Sequence, residues 1–397
     1  MYNPNITISR TMAALAVLSA LSLITFQPAQ AQTESVLYSF GSQSGDGYFS
    51  YSTLVRDKKD NLYGTTWEGG VNNTGTVFRL TPSGTETVLH SFCTTGFPCA
   101  DGAYPTSGVN FDAAGNIYGT TTAGGTYGYG TVYQISASGT ETLIYSFTGG
   151  ADGARPYAGL VSDKAGNLYG TATGGGANGS GTVFQLTPSG TLTVLHTFAG
   201  ADGNDPNGGV ILDPKGNLYG TTTAGGAHGY GTVYKLSPAG TETVLYSFTG
   251  GADGGVPARG LVLKKGYLYG TTTNGYGTVF KVSLSGKATV LYSFTGAGDG
   301  GLPTSEVIFD KNGNLYSTTY MGGVYNEGTV FKLTPTGTET ALYSFGSQSG
   351  DGALPDAGLV FDKKGNLYGT TLRGGLGGVN GGGIVFKVAG RVANEFP

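Results

Sequence analysis

The sequence predicts an all-β chain folded as a single seven-bladed β-propeller of four-stranded blades, closed by an N-terminal strand that pairs into the last blade. Three observations predict it. A motif N-[LI]-Y-G-T-T begins at Asn61, Asn116, Asn167, Asn217 and Asn366, with variants starting at Tyr267 and Asn314. Successive starts lie from 47 residues apart (Tyr267 to Asn314) to 55 (Asn61 to Asn116), the period of propeller blades. Glycine supplies 74 of 397 residues and charged residues only 12%, which fits many tight turns between short strands. The repeat is also out of phase with the chain ends. A strand of the fourth type, Ser35–Phe40, precedes any first strand, and the last unit stops at Gly383–Val388 without a fourth. Pairing 35–40 beside 383–388 closes the ring and leaves no open sheet edge.

Each unit carries four short segments rich in Val, Leu, Thr, Tyr and Phe. In the unit from Gly159 the spacing predicts strands over Gly159–Asp163, Asn167–Ala172, Gly181–Thr187 and Thr191–Phe198. A D-x-x-G-N hairpin joins the first two, as in Asp362–Asn366, and a P-x-G-T turn joins the last two, as in Pro335–Thr338. Aromatic residues recur in the second strand (Tyr63 to Tyr368), the third (Phe78 to Phe386) and the fourth (Phe40 to Phe345). Sevenfold recurrence inside strands reads as blade-on-blade packing.

Residues 1–31 read as a secretory signal peptide. Arg10 precedes the apolar run Met12–Phe26, and Ala29 and Ala31 give a small-residue cleavage pattern. The run is short of the roughly 20 residues a spanning helix needs, so residues 32–397 form the mature domain, expected outside the cell or in the periplasm. Removing Arg10 changes the formal charge from −4 to −5, because residues 1–31 contain no Asp or Glu. With no basic cluster, nucleic acid and anionic membrane are poor partners. The expectation is a monomer without cofactor that holds a glycan or protein partner. Cys93 and Cys99 share one loop and, in an exported protein, read as a local disulfide.

The segments GLVxDxxGNLYGTT and GTVFKLTPxGTETVLYSF, which recur through residues 35–388, resemble the bacterial GloVer tandem repeat of secreted proteins. The first half is also similar to the NHL repeat, whose blades pair a D-x-x-G-N hairpin with an inner strand. The resemblance implies a propeller. That repeat family has no agreed activity, so it implies no catalytic residues. Relatives with C-terminal anchors differ from this chain, which shows none after its last strand.

Blade topology puts both short turns at one end and the long second-to-third and inter-blade loops at the other, and function on propellers sits over the channel on the loop face. Candidate binding residues are those that break the repeat there: Trp67, Tyr157, Asn207, Arg259, Glu306 and Asp356. Glu68, Arg155, Glu327 and Arg373 lie on nearby loops. Aspartates recur in the inter-blade loops (Asp46, Asp101, Asp152, Asp202, Asp253, Asp299, Asp351) and read as caps of loop backbone. Calcium would require more oxygens than one per loop. His90 and His196 fill a slot that is Tyr elsewhere and read as packing; only His228 lies on a variable loop. No catalytic triad is legible, and no His or Cys cluster has metal-ligand spacing. Three functions remain: a binding module, an envelope-associated structural protein without a discrete site, and a polysaccharide lyase or hydrolase.

Overall fold

A computed structural model describes residues 32–94, 96–257 and 259–390. The segment read as a signal peptide, residues 1–31, lies outside them. Seven four-stranded antiparallel sheets form the blades of a β-propeller. Among the described residues the one helix is a 3-10 turn, Gly378–Asn380, and none is long and apolar enough to cross a membrane. The N-terminal strand Glu34–Ser39 pairs antiparallel with Ile384–Val388, from Glu34↔Val388 to Ser39↔Ile384, and supplies the fourth strand of blade 7.

Blade 3 illustrates the unit. Its strands are Val161–Ser162, Leu168–Ala172, Thr182–Leu186 and Leu192–Thr197. The first is shorter than its sequence suggests. Leu160 turns inward over Gly170, while Ala158 and Gly159 line the channel, so pairing with the second strand starts only at Val161↔Tyr169. Gly170 is required for this packing. A Cβ there would lie 2.7 Å from Phe184 Cζ and 2.8 Å from Leu160 Cδ2. Gly170→Ala is therefore expected to cost about 1–3 kcal/mol through overpacking, despite the ordinary preference for Ala over Gly in a strand. Calorimetry should find the melting point lowered; an unchanged or raised value would refute the packing argument.

The two threonines of the motif have separate tasks. The second pairs with a threonine of the third strand, as in Thr121–Thr131 at 2.8 Å. The first donates to a carbonyl of the following blade: Thr65 to Ser107 at 2.8 Å, Thr120 to Ala158 at 3.0 Å, and so on to Thr370, which reaches Ser52 at 3.3 Å. The last of these joins blade 7 to blade 1, so a continuous belt of hydrogen bonds surrounds the channel. The rings of the third and fourth strands meet edge-on across each seam, as in Phe147–Phe184 with centroids 5.2 Å apart, and the buried Phe and Tyr side chains form the core.

Every third-to-fourth pairing contains a bulge, at Leu195 in blade 3, which increases twist. The bulged carbonyl faces the next blade's tight turn, as Leu195 O does beside Gly240. Outer strands therefore meet end to start around the rim. The inter-blade aspartates cap loop backbone, reaching back to it: Asp152 accepts from Thr148 N at 2.8 Å and Asp253 from Thr249 N at 2.8 Å. Each also holds the preceding fourth strand through its Tyr or His, from Tyr38–Asp46 at 2.8 Å to Tyr343–Asp351 at 2.8 Å. His90 and His196 pack edge-on against Phe92 and Phe198, as expected, and take over this clamping role as well. Cys93 and Cys99 are bonded to each other and buried against Ala103.

The rim also sets a pH dependence. Glu34, Glu86, Glu242 and Glu339 each have a pKa pushed up to about 7, first by burial and second by the aspartate they face (Asp351, Asp46, Asp202 and Asp299). A carboxyl raised in the fold favours the folded state while protonated. That contribution is complete below the unfolded value of 4.5 and is lost as pH rises through about 7. The hairpin aspartates, Asp163 for example, have the opposite sign. Burial works against them, but Asn167 and backbone donors outweigh it and hold the carboxyl low, so their contribution disappears below about 3.8. Stability should peak near pH 4–5. After discounting for solvent screening, roughly 1 kcal/mol per glutamate should lower the melting point by about 5–10 °C between pH 5 and pH 8. Replacing the four glutamates with glutamine should flatten the profile; a melting point that rises towards pH 8 would contradict it.

Candidate recess over the channel

The site begins with a backbone irregularity. In all seven blades the residue two before the channel-facing segment has positive φ: Phe49, Tyr104, Arg155, Asp205, Val256, Leu302 and Leu354, at 53–60°. Proline follows all but Phe49, and a residue before proline ordinarily avoids helical regions. Each is held by its N–H, which donates to the preceding blade's second-to-third loop, as Arg155 does to Tyr129 O at 2.8 Å. This turn directs the next three side chains at the channel and its mouth. Held, non-glycine strain of this kind is concentrated at functional sites.

Five of the six candidates, Tyr157, Asn207, Arg259, Glu306 and Asp356, line one central cavity of about 480 Å³ together with Tyr51. Arg259 is its centre. Its Nη2 donates to Asp356 Oδ2 at 3.1 Å, its Nε donates to Thr304 O at 3.0 Å, and its guanidinium stands 5.5 Å from the Tyr157 ring centroid. Side-chain exposure is 16% for Arg259 and 12% for Asp356, so this pair is largely removed from bulk water. Glu306 occupies a slot that is Gly108, Gly159, Gly209, Gly260 or Gly358 in other blades. Its carboxylate leans over Gly260, where a Cβ would lie 2.4 Å from Glu306 Oε1.

The charges are mismatched: two carboxyls share one guanidinium. Burial raises the pKa of both Asp356 and Glu306, and Arg259 offsets only part of that rise. For Arg259 burial works against the charge, but Asp356, Tyr157 and Glu306 outweigh it and keep the guanidinium ionised. Burial raises Tyr157 and pushes Tyr51 up to about 12, so both rings keep their protons as donors. Asn207 Oδ1 is buried without a hydrogen-bond partner. The recess therefore combines aromatic faces, a fixed cation, two acids prone to protonation and an unused amide oxygen.

A family model described as the Gloeobacter/Verrucomicrobia repeat matches residues 93–276 and 273–394. The chain belongs to the Gloeobacter/Verrucomicrobia repeat family. No curated protein matches this repeat chain. Among solved structures, a gluconolactonase from Xanthomonas campestris is similar at 16% identity, with TM-score 0.45 over 72% of this chain and 85% of its own. The extracellular domain of a protein assigned as a one-component system from B. thetaiotaomicron reaches TM-score 0.56 at 9% identity, over 90% of this chain. The repeat chain spans 40% of that domain's length. At such identities the likeness is one of fold.

Trp67 lies outside the central cavity of the Gloeobacter/Verrucomicrobia repeat propeller. It lines an adjoining one of about 610 Å³, with Arg155 and Asp205, that shares Tyr51, Thr106, Tyr157 and Asn207 with the first. Its ring packs against Tyr51 and Tyr104, with centroids 6.1 and 5.6 Å away. Tyr51, which holds the Tyr157 slot in blade 1, is hidden in the sequence because Ser50 there replaces the proline that marks the slot elsewhere. Tyr129, Tyr230 and Tyr276, which are 41–54% exposed, are further aromatic residues outside the sequence-predicted set. Each ring covers an inter-blade glycine, Gly149, Gly250 or Gly296, and leaves its outer face free. Their signal was the Tyr in Y-G-T-V.

Proposed function

We propose that this chain is an exported binding module that holds a glycan in the two-lobed recess over the channel. The carrying observation is the meeting of Tyr51, Tyr157 and Trp67 with Arg259, Asp356, Glu306 and the unpartnered Asn207 oxygen. A pyranose presents an apolar C–H face and a rim of hydroxyls. Aromatic faces suit the first, and fixed charged donors and acceptors suit the second. The exposed tyrosines of the loop face add stacking area for a longer chain. Export fits a buried disulfide, which persists in oxidising compartments.

The test is an array of neutral and uronic-acid oligosaccharides probed with the parent protein and three variants. Tyr157→Ala and Glu306→Gln should weaken binding of the hits by about 10-fold or more, the range for losing one good contact. Lys364→Ala, on the hairpin face, should leave it unchanged. No glycan bound, or an effect confined to Lys364→Ala, would refute the reading; capture of peptides by the same recess would replace it with a peptide module. A polysaccharide lyase or hydrolase is the second reading, favoured by two carboxyls held above their usual pKa beside Arg259 and Tyr157. Chain shortening of an array hit, abolished by Glu306→Gln, would favour it.

A further inference from the structure

The seam between blades 3 and 4 brings together His196, Asp202 and Glu242, far from the channel. His196 Nε2 and Asp202 Oδ2 are 2.9 Å apart, and one ligand atom from each of the three residues lies within 4.8 Å of the others. His196 ends one outer strand and Glu242 begins the next blade's outer strand. Sequence spacing hides the group, because it is assembled by the end-to-start meeting of outer strands. We infer that this seam is a binding site for a divalent transition-metal ion of the zinc type, held by one imidazole and two carboxylates.

Three features carry the inference. Glu242 Oε1 is buried and lacks any hydrogen-bond partner, as do the matching oxygens of Glu34, Glu86, Glu141 and Glu339, but among the described residues only the Glu242 carboxylate comes within 4.8 Å of both an imidazole nitrogen and a second carboxylate. Asp202 is pre-oriented: its other oxygen accepts from Ala199 N at 2.8 Å, the kind of outer contact that fixes a metal ligand. The remaining seams supply the contrast. Five of the seven carry Tyr in the His196 slot (Tyr38, Tyr145, Tyr246, Tyr292, Tyr343), and two replace the glutamate with Leu192 or Ala288. Histidine coincides with a facing glutamate only here and at His90–Glu141, and among the described residues only this seam gathers its ligand atoms so closely. An ion with bonds of about 2.1 Å to nitrogen and carboxylate oxygen needs neighbouring ligand atoms about 3–3.5 Å apart, which small rotamer changes would give. One nitrogen and two carboxylates suit zinc and exclude a calcium cage of six to eight oxygens. Side-chain exposures of 17% and 22% for His196 and Asp202 leave the ion a path and a position for water.

The test uses untagged full-chain protein stripped with EDTA, titrated with Zn²⁺ by calorimetry and with Co²⁺ by visible absorption. The expected result is one zinc per chain at micromolar affinity, a Co²⁺ spectrum that Zn²⁺ displaces, and a melting point raised by several degrees in Zn²⁺. His196→Tyr installs the residue other blades use, and Glu242→Leu installs that of blade 3; each should fold and lose at least 10-fold in affinity. His90→Tyr should change nothing. Absence of binding below about 100 μM, or binding that survives both substitutions, would overturn the proposal. So would loss of binding in His90→Tyr alone, which would place the ion elsewhere.

Discussion

A chain truncated to begin at Gly41 should melt about 5–10 °C lower and self-associate. The missing segment is the fourth strand of blade 7, and its loss exposes the Ile384–Val388 edge over its full length. It also removes Phe40, which is 1% exposed and packs edge-on to Phe78 at 5.2 Å across the seam with blade 1. Loss of a buried Phe alone costs roughly 3–5 kcal/mol, and the Tyr38–Asp46 clamp disappears with it. At about 1–2 °C per kcal/mol for a domain of some 360 residues, the combined loss is about 5–10 °C. Light scattering and circular dichroism should show both effects. A monomer that melts with the parent protein would mean that the ring does not depend on this strand.

Arg259→Met should be nearly as damaging, for an electrostatic reason. The substitution leaves Asp356 and Glu306 in the recess without their shared cation. Removing one partner of a buried pair costs about 3–5 kcal/mol, because the remaining charge is uncompensated. Both carboxyls are already raised by burial and would rise further, so the penalty is small while they are protonated and grows as pH increases. The melting point should fall by about 4–8 °C at pH 8 and far less at pH 5. Adding Asp356→Asn and Glu306→Gln should restore most of the loss. A small, pH-independent change would mean that water screens the group and that the recess is not a low-dielectric site.

The fold was legible because its signals were redundant. Seven copies of one motif fixed blade number and strand order, and the misplaced strand at Ser35–Phe40 fixed the closure. The length of the first strand was not legible: whether Gly159 and Leu160 pair or peel away depends on the Phe184 ring and on the neighbouring blades. In the recess, departures from the repeat pointed to Tyr157, Asn207, Arg259, Glu306 and Asp356. They could not reveal that Arg259 reaches Asp356, 97 residues along the chain. Trp67 stood out by rarity, yet it borders the second lobe. The seven left-handed residues before the channel segment carry no common side chain, from Phe49 to Leu354, so no residue type announced them. His196 and Glu242 belong to different blades, and only the bulged, twisted outer strands bring them together.

Hydrogen–deuterium exchange with and without the best array hit tests most directly whether the recess over the channel is where this protein meets its ligand. Protection should appear at the channel-facing segments 155–160, 204–210 and 302–307, and at the loop holding Trp67. The first-to-second hairpins, Asp163–Asn167 and Asp362–Asn366 among them, should exchange at unchanged rates. Protection confined to those hairpins, or spread evenly over the rim with the channel segments unaffected, would contradict the account.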